Sequence, residues 1–152
     1  MRIRSVVGVV VGGIADILAT NLLAFPFLIY VMVTRDLSGV PRTEIGTAAL
    51  AAILASHVLQ ITGWALGLTA TVLGGYLAAR IARRAEVVHG ALSAWLCMGL
   101  GVYSMFAGDH TAPLWQHVLA FVLSPVFGAF GGYLRRSGAT GDSELSPMAA
   151  VG

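Results

Sequence analysis

Asp16 carries charge deep inside a long apolar run, and any chemistry of this chain starts there. It stands about ten residues into the run that opens near residue 6, roughly 15 Å along a helix rising 1.5 Å per residue. An ionisable side chain at that depth costs roughly 2.5–3.5 kcal/mol on insertion scales, so it must face protein and have a partner. Asn21 follows about one turn later. His57 and Gln60 fall at comparable depth in the second apolar run. Asp16, Asn21, His57 and Gln60 are therefore expected to form one intramembrane polar cluster, with Thr20, Ser56 and Thr62 close enough to add hydrogen bonds. Two roles are open for such a cluster. Asp16 titrates as a proton- or cation-linked site, with His57 relaying or tuning it. Otherwise a protonated Asp16 locks helix to helix, within one chain or between subunits.

The remaining reactive side chains exclude more than they offer. Cys97 is the only cysteine. An intrachain disulfide, a thiolate zinc site, an iron–sulfur cluster within one chain and dithiol–disulfide chemistry are all ruled out, and the thiol reads as a small packing residue. A bis-histidine haem needs two histidines at matching depth. His57 lies about ten residues inside its run and His117 about four inside its own, a mismatch of roughly 9 Å. His89 opens the third run and His110 falls in a connection. No cofactor and no metal site is expected, although a single axial bond from His57 or His117 to haem or a pigment stays open. There is no phosphate-binding glycine loop, no zinc-binding histidine pair on a helix and no nucleophile elbow, so a catalytic role is not expected.

These residues must be positioned by apolar elements. Hydrophobic residues make up 57% of the 152-residue chain and charged residues 11%, against about 25% charged in soluble domains. That excess assigns the chain to a bilayer. Four runs reach the roughly 20 residues a helical span needs: 6–33, 45–79, 87–106 and 113–134. Pro26 and Pro125 are expected to kink the first and fourth. The connections are short, so sequence neighbours pack antiparallel. The expected fold is all-α, one transmembrane domain over 1–136 forming an integral membrane four-helix bundle, followed by a disordered tail over 137–152 rich in Ser, Gly, Ala and acidic groups. Arg2 and Arg4 precede an apolar run too long for a cleavable signal, so the first helix is retained.

The formal charge of +2 comes from nine arginines and no lysine. With abundant Ala, Gly and Val, this suggests a bacterial source. It is too small a charge to imply nucleic acid. Arg2, Arg4, Arg80, Arg83, Arg84, Arg135 and Arg136 fall on one side of the spans, and Arg35 and Arg42 on the other. The positive-inside rule then places both termini and the 80–86 connection in the cytoplasm of a bacterial inner membrane, with Arg80, Arg83, Arg84, Arg135 and Arg136 as cytoplasmic anchors. Such asymmetry disfavours insertion in both orientations.

Small or polar residues recur every three or four positions: Gly8, Gly12, Asp16 and Thr20; Gly63, Gly67, Thr71 and Gly74 with Gln60 and Trp64; His89, Ser93, Cys97 and Gly101; Ala120, Ser124, Gly128 and Gly132. Residues four apart share a helical face, and membrane helices associate through close approach at small residues. Gly8, Gly12, Gly63, Gly67, Gly128 and Gly132 are the expected packing positions. Gly74-Gly75-Tyr76-Leu77 before Arg80 is echoed by Gly131-Gly132-Tyr133-Leu134 before Arg135. A faded duplication of one hairpin would produce this, and so would two generic cytoplasmic helix ends.

The segment Gly74-Gly75-Tyr76-Leu77-Ala78-Ala79-Arg80-Ile81-Ala82, with Glu86 and His89-Gly90, resembles a recurring feature of a loose group of small uncharacterised bacterial four-helix integral membrane proteins. The resemblance spans 17 residues. It implies the architecture and carries no activity or site residue. With four seams and little soluble mass, the expectation is a non-enzymatic accessory, assembly or structural subunit of a larger membrane complex, respiratory or photosynthetic, or a homo-oligomer. Its partners would be the lipid bilayer, other membrane subunits or copies of itself. The alternatives are a small ion-coupled transporter or channel using Asp16, and a haem- or pigment-binding subunit.

Overall fold

The computed structural model of the chain describes residues 2–107 and 113–145, and every regular element in them is helical. Four helices are long: α1 (Arg2–Thr34), α3 (His57–Ala82), α4 (Glu86–Ala107) and α5 (Leu114–Leu145). Between α1 and α3 come a single 3₁₀ turn, Leu37–Gly39, and the ten-residue α2 (Ile45–Leu54). Three helices are long and apolar enough to cross a membrane: α1 and α3, and α5 over Leu114–Gly138.

Expected and observed boundaries agree closely in the first and third runs and diverge in the other two. The second run, expected as one helix over 45–79, is two helices set apart at Ala55–Ser56. Ser56 adopts an extended backbone (φ −127°, ψ 113°), the conformation of a helix N-cap. Its carbonyl accepts the first intrahelical bond, from Gln60 N at 2.9 Å. The break leaves carbonyls at the end of α2 without helical partners, and Gln60 Nε2 donates to that of Leu54 at 2.6 Å. Ser56 and His57 are polar, but Val58, Leu59 and Ile61 resume the apolar run at once, so run length reads a single span. At about 1.5 Å per residue α2 spans roughly 15 Å, half a hydrocarbon core.

The fourth helix continues past its two arginines to Leu145, so residues 137–145 of the expected disordered tail are helical. Residues 108–112, including His110, and 146–152 lie outside the described part. Pro26 and Pro125 sit within unbroken helices.

The long helices touch in a cycle, α1 to α3, α3 to α5, α5 to α4 and α4 to α1, and α3 also touches α4. At the arginine end the backbones meet almost directly. A Cβ added at Gly12 would lie 2.5 Å from Ala78 Cβ and 2.7 Å from the Gly74 carbonyl. One added at Gly8 would lie 2.9 Å from the Ala78 carbonyl. Gly75 abuts the Gly128 backbone, Gly131 that of Val72, Gly90 that of Gly128, and Gly132 that of Glu86. Each Gly-Gly pair thus serves two neighbours: Gly74 faces α1 while Gly75 faces α5, and Gly131 faces α3 while Gly132 faces α4.

At the opposite end, Val31, Ala49 and Leu59 form a small buried core with Phe27, Leu37, Ala52 and Ile53 packed on it. This cluster docks α2 against α1 and α3. Arg83 (φ 53°) and Ala85 (φ 42°) adopt left-handed backbone in the tight turn from α3 to α4, a region that L-residues enter at a cost.

Candidate functional site

The α1 stripe carries Asp16 to the point where the close seam ends. Gly12 and Gly74 let α1 and α3 approach so far that a Cβ on Gly74 would lie 2.6 Å from Asp16 Cβ. One turn along α3, Thr71 then reaches the carboxyl group, its Oγ1 3.3 Å from Asp16 Oδ1. The same Oγ1 lies 3.1 Å from the Gly67 carbonyl. One hydroxyl proton has to serve both acceptors. Asp16 is fully buried, and the Thr20 hydroxyl and the Cys97 thiol flank its carboxyl group. Even so, Oδ2 has no hydrogen-bond partner, the one such buried side-chain atom among the described residues. A buried polar atom left unpaired is rare, because it loses its hydration with nothing in exchange.

Asp16 lines a cavity of about 530 Å³ to which all five α-helices contribute. Its walls are mostly aliphatic, from Ile17, Leu50, Ile53, Leu54, Leu68 and Leu100, with Trp64 among them. Polar groups enter from α1 (Thr20, Asn21), α3 (Gln60, Thr71), α4 (Cys97) and α5 (Gln116, Ser124). A smaller cavity of about 240 Å³ adjoins it between α1, α2 and α3.

Of the four residues expected in one cluster, the cavity collects Asp16, Asn21 and Gln60 but not His57. His57 is exposed, at the first position of α3. The break before α3 accounts for this: it places His57 at a helix start, where an unbroken span would have placed it within a helix. Asn21 and Gln60 do not bond Asp16 either. Asn21 Nδ2 donates to the Ile17 carbonyl at 2.8 Å, and Gln60 spends its amide N–H on Leu54. Thr71, known from the sequence only as a stripe residue, bonds Asp16 Oδ1 from α3. Trp64 and Ser124, also stripe residues in the sequence, join the site, and Gln116 joins it from outside the stripes. Cys97, expected to do no more than pack, stands beside the carboxyl group.

The glycines divide as well. Gly8, Gly12, Gly128 and Gly132 grip neighbouring helices, as expected. Gly63 and Gly67 do not: a Cβ on Gly67 meets nothing within 4 Å, and one on Gly63 meets only the Phe27 ring at 3.6 Å. Both line the cavities instead. Of the arginines expected as anchors, Arg80, Arg83, Arg84 and Arg136 are exposed and Arg135 is half-buried.

No protein-family model, curated protein or solved structure matches this chain. Its chemistry has to be read from the residues alone.

The other two described histidines bond locally. His89 Nδ1 lies 3.0 Å from the carbonyl of Ala85, tying the start of α4 to the turn before it. His117 Nδ1 lies 3.4 Å from the Pro113 carbonyl. Among the described residues, no three of His, Cys, Asp and Glu come together as metal ligands.

Proposed function

We propose that this chain is a small, non-enzymatic, ion-coupled transporter or channel of a bacterial inner membrane, with Asp16 as its ion-linked carboxyl group. In this reading α4 is the fourth span. Its 22 residues make about 33 Å of helix, enough for a hydrocarbon core near 30 Å, and four membrane-crossing helices then form one bundle. The arginine end faces the cytoplasm, and the cavity runs from Asp16 towards the opposite face.

One observation carries the proposal: Asp16 Oδ2 is buried, unpaired and adjacent to a cavity. A purely structural carboxyl group would gain by satisfying both oxygens. The hydrogen bonding of Thr71 suits a group that changes protonation. A neutral Asp16 donates to Thr71 while Thr71 donates to Gly67, and a charged Asp16 accepts the hydrogen bond of Thr71 instead. The test is proton and cation flux in proteoliposomes. Asp16→Asn should abolish flux while the helical content and oligomeric state persist. Flux at the wild-type rate through the folded variant would sink the proposal.

A second reading is an accessory subunit or homo-oligomer, and Gly99 favours it. That residue is exposed on α4, with open space where a side chain would start, so a foreign helix could approach closely. Native mass spectrometry from mild detergent checks it: a bare monomer with no co-purifying protein counts against assembly.

A further inference from the structure

We infer that the cavity beside Asp16 binds a lipophilic monocation whose charged head is a protonated amine. The inference rests on the reading of Asp16 as the functional carboxyl group and adds the chemical class of the ligand.

The buried polar atom left without a partner at the cavity is an acceptor. Asp16 Oδ2 is unpaired. Asn21 and Gln60 each spend one side-chain N–H on a backbone carbonyl, of Ile17 and Leu54, and each keeps its amide oxygen as an acceptor for a ligand. No arginine lines the cavity. An anionic ligand would meet a carboxyl group and amide oxygens with no positive charge to offset them. An ammonium group brings N–H donors to those oxygens, and its hydrogen bond to a carboxylate is of the stronger, charge-assisted kind.

The walls supply the rest of the description. A metal ion needs several ligating groups close together, and Asp16 has no second carboxylate or histidine beside it in the cavity. The volume, about 530 Å³, is in the range of sites for small organic molecules, roughly 300–1,000 Å³. Five leucine and isoleucine side chains besides Leu100 would be covered by an apolar body. Trp64 provides a ring of the kind that attracts organic cations. A single carboxylate matches a single positive charge.

Three compounds with one hydrocarbon cage separate the possibilities: 1-adamantanamine, 1-adamantanol and 1-adamantanecarboxylate. Binding is followed by the fluorescence of Trp64 in full-length protein with Trp95→Phe and Trp115→Phe, two positions that are exposed. The amine should give a saturable change, with the alcohol and the carboxylate at least tenfold weaker. Asp16→Asn should weaken amine binding at least tenfold while circular dichroism and thermal unfolding stay close to the parent. Gly67→Leu should weaken it similarly by filling the cavity, since no atom lies where its side chain begins. Gly67→Leu also serves if the Asp16 variant does not fold. Equal affinities for the amine and the carboxylate, a linear response without saturation, or amine binding unchanged in either variant overturns the inference. The two proposals fail separately. Asp16-dependent flux without amine binding removes the ligand assignment alone, and Asp16-dependent amine binding without flux removes the transport reading alone.

Discussion

The two halves of this molecule use the same residue type to opposite ends. At the arginine end, Gly8, Gly12, Gly74, Gly75, Gly90, Gly128, Gly131 and Gly132 each face another helix so closely that a Cβ would meet foreign atoms at short range. At the α2 end, Gly67 and Gly99 face nothing within 4 Å, and Gly63 only an aromatic ring. One half is closed by backbone contact, and the other contains the cavities. Asp16 stands at the boundary. The comparison teaches that a stripe of small residues marks permission to approach, not approach itself. Contact forms only where both partners present small faces at one level. Where bulkier side chains such as Trp64, Phe27 and Leu100 intervene, the same stripe lines a void.

The sharpest way to break this comparison is to add bulk on both sides of it. Gly128→Leu should cost about 3 kcal/mol or more, because its side chain would enter the backbone of α4 and neither helix can retreat without losing other contacts. Loss of folded protein in detergent, read by size exclusion and thermal unfolding, is the expected result. Gly67→Leu should leave stability within about 1 kcal/mol of the parent, since it enters open space and extends apolar contact. If the two variants are equally damaging, the halves do not differ in packing.

Asp16→Asn probes the boundary itself. The amide keeps the shape and can still accept from Thr71, so unfolding should shift by no more than about 1–2 kcal/mol while Asp16-dependent flux is lost. A larger loss of stability would make the residue chiefly a structural lock.

Gln60→Leu tests how the open half is held. It leaves the Leu54 carbonyl without its side-chain partner, a change worth roughly 1–2 kcal/mol. Hydrogen exchange should quicken over α2 and the first turn of α3 and stay unchanged at the glycine seams. Uniform exchange along both ends would show that α2 is held by its apolar cluster alone.

The smallest expected effect lies in the turn at the closed end. Ala85 has φ 42°, where glycine avoids the steric penalty but loses more chain entropy. Ala85→Gly should stabilise by up to about 1 kcal/mol, seen as a small rise in Tm. A fall in Tm would show that the turn is relaxed with alanine.

Much of the architecture was legible because it depends on one-dimensional quantities. Run length and hydropathy located α1, α4 and the apolar part of α5 to within a few residues. The spacing of Gly8, Gly12 and Asp16 correctly put them on one face. Spacing could not reveal which glycines meet another backbone, since that depends on the level of the facing helix. It could not reveal the break at Ala55–Ser56, where two polar residues interrupt the apolar run too briefly to mark a helix end and one extended residue redirects the chain. That break in turn decides that His57 starts a helix in an exposed position and that Gln60 serves α2 and does not reach Asp16.

From the sequence alone, then, the chain is an all-helical protein made for an apolar solvent, with charge at its borders and one carboxyl group inside. Hydropathy and helical period determine this much, because burial in lipid follows from local composition. The tertiary structure alone decided that Asp16 meets Thr71, that Gln60 turns an amide N–H to the Leu54 carbonyl across the break, and that one oxygen of Asp16 is left unpaired beside a cavity. Those outcomes depend on the relative height and rotation of separate helices. Close backbone contact at the glycine seams sets both, and no single helix encodes them.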